Sequence, residues 1–223
     1  MRAKLSVIIP TLNAETGLMR GLSTLAEGLS AGLIRELVIS DGGSEDATLA
    51  IAEEAGAELV TGPPSRGSQL RRGAEMARGE WLLFLHADTM LPPGWADEVL
   101  AHLETGRPAY FRLRFDKSGF GASWTAGWAN FRSRVCHLPY GDQGLLISRE
   151  EYDRAGGHPD IALMEDVAMA RKLGRRLVPL PVTVTTSADR YTQDGWFRRG
   201  ARNLSLLLRY RLGADPERLA RRY

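Results

Sequence analysis

Short apolar runs alternate along the first half of the chain with segments in which apolar residues recur every three or four positions. The apolar runs occupy residues 5–9, 36–39, 57–60 and 81–85. The periodic segments between them occupy residues 17–30, 47–54 and 68–77. The runs are typical of buried strands, and the periodic segments are typical of amphipathic helices. This order predicts an α/β fold with a Rossmann-like, mostly parallel central sheet that helices cover on both faces.

The second half of the chain is less regular. Strands are predicted at 109–115, where apolar and polar residues alternate, and at 143–148. Helices are predicted at 124–135, which is rich in aromatic residues, and at 165–173. A last strand at 177–184 contains two prolines, which cannot donate ladder hydrogen bonds, so we expect it at an edge of the sheet.

Beyond residue 186 the chain becomes helical and basic. Asp215 and Pro216 have the pattern of an N-cap and first position of a last short helix. Residues 189–223 contain nine arginines and four acidic residues, although the whole chain has a net charge of only +2. Such an excess suits a diphosphate ligand, an anionic lipid surface or simply a solvated helix face. Because no Lys/Arg run with interleaved aromatic residues accompanies it, we do not expect a nucleic-acid partner.

The interleaving of apolar residues and arginines in this tail is compatible with two uses. The tail can cover the rest of the domain, or it can lie on anionic lipid as an amphipathic helix. We favour the first use, so we expect at most weak, peripheral contact with a membrane.

Composition places the chain among soluble globular proteins. Its 223 residues are 43% hydrophobic and 25% charged, which suits one large domain. No apolar stretch approaches the roughly 18 residues of a membrane span, and no signal-peptide pattern opens the sequence, so a cytoplasmic address is expected. The single cysteine, Cys136, has no His/Cys cluster beside it and is expected to be a small buried hydrophobe.

The first strand ends without a glycine-rich turn, in Ile-Pro-Thr-Leu-Asn at residues 9–13. Both the dinucleotide-binding pattern G-x-G-x-x-G and the P-loop pattern are therefore absent. If the sheet binds a nucleotide diphosphate, another group must neutralise the phosphates. Asp88, which follows the strand at 81–85, is suited to hold Mg²⁺ or Mn²⁺, since such ions take few protein carboxylates and complete their shell with phosphate and water.

Two further acidic positions have competing interpretations. Asp41 follows the second strand in a Gly-Gly turn, where it can accept a hydrogen bond from a nucleoside base or cap the turn. Glu165 and Asp166 open a helix, where acidic residues are often only surface residues favoured by the helix dipole. The residues alone leave both alternatives open.

Four stretches resemble family 2 glycosyltransferases of the GT-A fold in order and spacing. They are SVIIPTLNAE, VISDGGSEDAT, ARGEWLLFLHADTMLPPGW and GGHPDIALMEDVAMARKL. The resemblance covers nearly the whole chain. The patterns DGGS, HAD, PYGDQG and MED look closest to a small, soluble bacterial subgroup associated with arsenosugar biosynthesis. The resemblance implies a single domain over 1–223, with a nucleotide-binding half (1–106), an acceptor and catalytic half (107–186) and the helical tail (187–223).

The resemblance also implies residue roles for a nucleotide-diphosphate sugar donor, with UDP as the usual nucleotide. The implied donor-binding residues are Pro10, Thr11, Asn13, Glu15, Asp41, Arg66, His86 and Asp88. Asp41 corresponds to the acid that recognises the base, with Arg66 assisting. His86 and Asp88 correspond to the family's D-x-D motif, in which the last acid binds the metal. Because the first acid is His86 here, that residue is expected to contact either a ribose hydroxyl or the metal itself.

Asp166 corresponds to the family's general base, with Glu165 as its companion acid. One base without an enzymic nucleophile implies a single displacement with inversion onto an unknown hydroxyl acceptor. The Q-x-x-R-W pattern of processive relatives is absent at 193–198, so one transfer per encounter is expected.

Two rival functions are a sugar nucleotidyltransferase and a non-catalytic nucleotide-binding or membrane-associated scaffold. The first should carry a glycine-rich G-x-G-x-R loop that this sequence lacks. The second should bind nucleotide without turnover, although Asp88 and Asp166 are both retained. The sequence leaves open whether the chain forms a homodimer.

Overall fold

A seven-stranded sheet forms the centre of the protein in the computed structural model, which describes residues 3–220. Its strands are β1 (Leu5–Thr11), β2 (Ile34–Asp41), β3 (Glu58–Thr61), β4 (Trp81–Phe84), β5 (Ala109–Phe115), β6 (Leu145–Ser148) and β7 (Val178–Thr186). Their order is β3-β2-β1-β4-β6-β5-β7, and β6 runs antiparallel to both of its neighbours while all other pairs are parallel. The predicted mostly parallel sheet is therefore confirmed.

Helices cover both faces of this sheet. They are α1 (Glu15–Ser23), α2 (Ala26–Ser30), α3 (Thr48–Glu54), α4 (Arg66–Met76), α5 (Trp95–Leu103), α6 (Phe120–Cys136), α7 (Arg149–Arg154), α8 (Glu165–Leu173), α9 (Asp189–Asp194), α10 (Trp196–Arg211) and α11 (Pro216–Ala220). Among the residues described, no helix is both long and apolar enough to cross a bilayer. Residues 1–2 and 221–223, which belong to the predicted domain and tail, lie outside the described residues.

Alternation along the strands divides the core into two layers. Val7 and Ile9 of β1 pack into one buried cluster, whereas Ile8 between them packs into the other. The same division separates Leu83 from Leu82 on β4. Successive side chains of a strand point to opposite faces, so a nearly continuous apolar run is what a sheet covered on both sides requires.

Several helix boundaries differ from the predicted ones for local reasons. The helix expected over 17–30 is divided at Thr24, whose hydroxyl donates to the carbonyl of Gly21 and whose own carbonyl accepts from the Trp95 indole. Such side-chain bonds compete with the helical ladder. The sequence reading missed α5, which follows the turn at Pro92–Gly94, and α7, which opens with Ser148 and Glu151 in a capping-box pattern.

Other expectations have clear outcomes. β7 lies at the sheet edge as its prolines predict, and Asp215 accepts the backbone N–H of Glu217 as the N-cap of α11. The expectation of a buried Cys136 is wrong, because this residue is the last of α6 and is exposed to solvent.

The antiparallel direction of β6 decides which loops meet at the site. Because β6 runs opposite to β4, the segment that precedes β6 lies beside the segment that follows β4. Residues 140–144 therefore lie next to residues 86–88. The tail then covers this end of the sheet, with Leu206 and Leu207 of α10 buried.

Candidate active site

A cavity of about 600 Å³ opens where β1 and β4 end, and α9 and α10 form one wall of it. Eight of the ten predicted site residues line this cavity. They are Pro10, Thr11, Asn13, Arg66, His86, Asp88, Glu165 and Asp166. Residues from both halves of the sequence thus face one space, at the strand ends where α/β sheets bind ligands.

The turn at residues 86–89 is held by close packing against α1. A Cβ at Gly17 would lie 2.9 Å from the Cβ of Asp88, and a Cβ at Gly21 would lie 2.8 Å from the carbonyl oxygen of Ala87. The backbone N–H of Thr89 donates to the carbonyl of His86 over 3.1 Å and closes the turn. Glycine is needed at both helix positions because no side chain fits between the helix and the turn.

Burial perturbs the two titratable residues of this turn. Burial, together with the nearby charges of Arg66 and Arg190, lowers the pKa of His86 well below its ordinary 6.5. Burial also raises the pKa of Asp88, against opposing hydrogen bonds, including one from Thr186, and the same two arginine charges. His86 is therefore a neutral imidazole at physiological pH, with a ring nitrogen able to accept a hydrogen bond or bind a metal.

Glu165 is almost completely enclosed at the start of α8, with 2% of its surface exposed. Burial raises its pKa to about 8, and the neighbouring Asp166 adds to this rise. The Arg66 Nε, 3.7 Å from Oε1 of Glu165, acts in the opposite direction but does not outweigh burial. Glu165 is therefore mostly protonated at neutral pH and is poorly suited to accept a proton there.

Asp166 is oriented by two backbone donors. The N–H of Gly141 donates to Oδ2 over 2.8 Å, and the N–H of Val167 donates to Oδ1 over 2.7 Å.

Two non-glycine residues of the cavity have a left-handed backbone. They are Met164, directly before α8, with φ of 70°, and Asn13 with φ of 49°. Non-glycine residues rarely adopt this conformation, and such strain concentrates at functional sites.

Asp142 is a site residue to which the sequence reading gave no role. It lines the cavity, and its buried Oδ1 has no hydrogen-bond partner within the described structure. Burial raises its pKa to about 6, with further contributions from the charges of Asp166 and Asp88. The signal available in the sequence was the PYGDQG stretch, which the resemblance included without a function for its acid.

Three further arginines line the cavity that the sequence analysis did not assign to the site. Arg190 of α9 and Arg199 of α10 line it, together with Arg20 of α1. The charge of Arg190 influences both His86 and Asp88. The basic excess of the tail was the signal, and the structure shows that part of this charge lines the cavity.

Two predicted donor contacts are not brought into the cavity. The buried carboxylate of Asp41 accepts hydrogen bonds from the hydroxyls of Thr11 and Ser44 and from two backbone N–H groups. Burial raises the pKa of Asp41, but these bonds outweigh burial and leave it lowered. Asp41 thus fixes the turn and Thr11, and its predicted contact with the base stays a prediction. Glu15 likewise binds the backbone N–H of Ala47 over 3.0 Å.

The residues present suit a divalent cation with few protein ligands. In the range 3–220, no group of three or more His, Cys, Asp or Glu side chains is close enough to hold a metal ion unaided. Asp88 and neutral His86 lie together, however, and the unpartnered oxygen of Asp142 adds negative charge nearby. Such a site is completed by donor phosphates, which is the usual arrangement for Mg²⁺ and Mn²⁺ in phosphate chemistry.

Comparisons with known proteins identify the family of the chain. The model of glycosyl transferase family 2 matches residues 6–165. A glycosyltransferase of Mycobacterium tuberculosis is 27% identical over 192 residues, which cover 80% of this chain and 84% of that relative.

Solved structures show the same fold. TarS 1–349 of S. aureus, in complex with UDP-GlcNAc, has a TM-score of 0.64 at 18% identity. The match covers 82% of this chain and 58% of the TarS chain. The mannosyltransferase PcManGT of Pyrobaculum calidifontis, in complex with GDP-Man and Mn²⁺, has a TM-score of 0.67 at 18% identity. The match covers 97% of this chain and 66% of the PcManGT chain. This chain thus spans less than two thirds of either solved chain. The likeness confirms the predicted GT-A type of α/β fold.

Proposed function

The chain belongs to glycosyl transferase family 2, and we propose that it moves one sugar per encounter from a nucleotide-diphosphate sugar to a hydroxyl acceptor, with inversion. The observation that carries this proposal is the meeting of Asp88 and Asp166 in one cavity, from opposite halves of the sequence. Asp88 follows β4 in the nucleotide half, and Asp166 opens α8 in the acceptor half. A donor and an acceptor placed between them would have the reacting atoms in the same space.

For the donor we propose a UDP-sugar. The family resemblance favours UDP, and TarS was solved with UDP-GlcNAc. PcManGT was solved with GDP-Man, so GDP-sugars are the main competitors. Direct contacts to the nucleoside are assigned to Pro10, Thr11 and Asn13, which line the cavity. Asp41 and Glu15 support these contacts from behind, because their carboxylates are used within the loops.

For the metal we propose Mn²⁺ or Mg²⁺ held by Asp88, with His86 as a second ligand or a ribose contact. When bound, such an ion neutralises the charge of the departing diphosphate. Arg66 and Arg190 lie beside these residues and supply fixed positive charge toward the same phosphates.

Asp166 is the proposed general base. Its carboxylate takes the proton of the acceptor hydroxyl while that oxygen bonds to the anomeric carbon and the bond to the donor diphosphate breaks. Glu165 is protonated at neutral pH and cannot compete for this proton. A single displacement of this kind inverts the anomeric configuration.

We also propose membership of the arsenosugar-associated subgroup, on the DGGS, HAD, PYGDQG and MED stretches, which identify no acceptor. We further propose a cytoplasmic site of action, with any membrane contact being peripheral.

A panel of nucleotide sugars tests the function directly. We expect UDP-sugars with Mn²⁺ to raise the melting temperature more than GDP-sugars, and one of them to release UDP slowly when hydroxyl acceptors are added. A nucleotidyltransferase would instead release pyrophosphate from a nucleoside triphosphate and a sugar phosphate. A non-catalytic module would show stabilisation without any nucleotide release, and this outcome would reject the proposed enzyme.

A further inference from the structure

Helix α6 exposes a continuous row of large apolar side chains. The row consists of Phe120, Trp124, Trp128, Phe131 and Val135, each between 49% and 73% exposed. Their spacing of three and four residues places them on one side of the helix. The opposite side, with Ala122, Ala126 and Ala129, is buried in the core. Exposed rows of this size are unusual on a soluble surface and mark interaction sites.

Helix α10 carries a second exposed row. Phe197, Leu204 and Leu208 are 42% to 63% exposed, and Leu212 follows directly after the helix. The other side of α10 carries the buried Leu206 and Leu207. The helix therefore uses one side to cover the domain and presents another apolar side to solvent.

The two rows meet at the N-terminal ends of their helices. Helices α6 and α10 pack together, and a Cβ at Gly121 would lie 2.7 Å from Cγ of Trp196. At about 100° per residue, Gly121 lies between the exposed row and the buried alanines of α6. Phe120 and Phe197, the sequence neighbours of these two contacting residues, are both exposed and begin the two rows. We call the two rows, joined at this end, the α6–α10 outer face.

The charges around this face distinguish between its two candidate partners, a second copy of the chain and a lipid bilayer. Neither helix contains an Asp or Glu, whereas Arg134, Arg198, Arg209 and Arg211 are exposed on them. A symmetric contact between two copies would bring these arginines together without acidic partners on either helix. Aromatic side chains bordered by arginines instead match a bilayer surface, where rings lie at the headgroup level and arginines meet anionic lipid.

We propose that the α6–α10 outer face docks the protein on an anionic lipid bilayer. The sequence reading considered only the tail and therefore expected at most weak contact. The exposed aromatic row of α6 adds the anchor that the tail alone lacks. Because Arg199, Asn203 and Leu206 of α10 line the donor cavity, docking would place this cavity one helix away from the lipid.

Vesicle co-sedimentation of the whole chain tests this proposal. We expect binding to vesicles of equal parts phosphatidylcholine and phosphatidylglycerol, and little binding to phosphatidylcholine alone. The double variant Trp124→Gln/Trp128→Gln should lose at least about tenfold in binding, because the anchor is removed. Arg198→Gln and Arg209→Gln should each lose about fivefold at low salt and less at high salt. The matched control, Leu29→Gln/Leu100→Gln, changes exposed apolar residues of other helices and should bind like wild type.

Two outcomes would overturn the proposal. One is equal sedimentation of the tryptophan double variant and the wild type. The other is a dimer by light scattering that the tryptophan double variant converts to monomers, which would identify a second copy as the occupant. Vesicle binding is measured without donor, and donor stabilisation of each variant is measured without lipid. Failure of the docking surface is thus separated from failure of the proposed transferase activity and from misfolding.

Discussion

The backbone N–H of Gly141 donates a 2.8 Å hydrogen bond to Oδ2 of Asp166. Gly141 also lies against His86, because a Cβ on the glycine would be only 2.5 Å from Nε2 of the imidazole. One residue of the loop before β6 thus contacts both the proposed base and the residue two positions before the proposed metal ligand. The geometry of the site depends on this loop as much as on the acidic residues themselves.

Asp166→Asn should retain donor binding and lower acceptor-dependent turnover by about 10²–10⁴-fold, since the amide cannot take the proton. Glu165→Gln should lower it far less, because Glu165 is already mostly neutral at pH 7. The measurement is UDP release with and without acceptor for both variants beside wild type. A larger loss of turnover in Glu165→Gln than in Asp166→Asn would show that Asp166 is not the base.

Glu165→Gln should also change how stability depends on pH. The pKa of Glu165 is about 8 in the folded protein and near 4.5 when unfolded, so the folded state holds the extra proton. The contribution of this proton to the free energy of unfolding of the wild type is therefore lost as pH rises from about 4.5 to about 8. The variant lacks this loss, so its free energy of unfolding relative to wild type should rise across that window, on the order of a few kcal/mol. Urea unfolding at several pH values measures the difference, and a constant difference would contradict it.

Asp88→Ala should abolish metal-dependent nucleotide binding without unfolding the protein, because it removes the carboxylate that holds the cation. UDP affinity would be measured by calorimetry with Mn²⁺ and with EDTA. Asp97→Ala, on the exposed side of α5, is the matched control and should bind UDP as wild type does. Equal affinity of Asp88→Ala and wild type under both conditions would exclude the metal role.

Gly17→Ala should weaken Mn²⁺-dependent UDP binding although residue 17 donates nothing to the ligand. Its new Cβ would displace Asp88, and overpacking of this kind costs about 1–3 kcal/mol of stability. Gly127→Ala, at a helical position of α6 with open space around it, should be neutral or slightly stabilising. Thermal unfolding and UDP titration of the two variants provide the comparison. Indistinguishable behaviour would mean that α1 does not hold the turn.

Arg190→Gln should weaken binding of a UDP-sugar about tenfold, the usual value of a hydrogen bond between charged groups. The loss should shrink at high salt, because Arg190 is exposed. Arg175→Gln, which is exposed away from the cavity, serves as the control. An equal effect of both substitutions would show only a change in overall charge.

The sequence predicted the strands and the acids at their ends well, because period-two and period-3.6 patterns depend on neighbouring residues. His86 and Asp88 could be placed at a strand end in this way, whereas Asp166 opens a helix and was singled out only by the family resemblance. The hydrogen bonds of Asp41 could not be predicted, since its partners include Thr11, thirty positions earlier. Asp142 was missed because it precedes a strand, and only the antiparallel direction of β6 brings it to the site. Arg190 requires the tail to fold back over the sheet, which no local pattern encodes.

The contact of Gly17 and Gly21 with the turn at residues 86–89 has a consequence for local unfolding. The turn has no regular secondary structure, and segments of that kind usually open independently of the core. Here it is packed against α1, which begins directly after the loop at residues 11–14, so the turn opens only if α1 moves away from it. We therefore expect the loop at residues 11–14, α1 and the turn to open together, so that the proposed site keeps its shape between encounters with a donor.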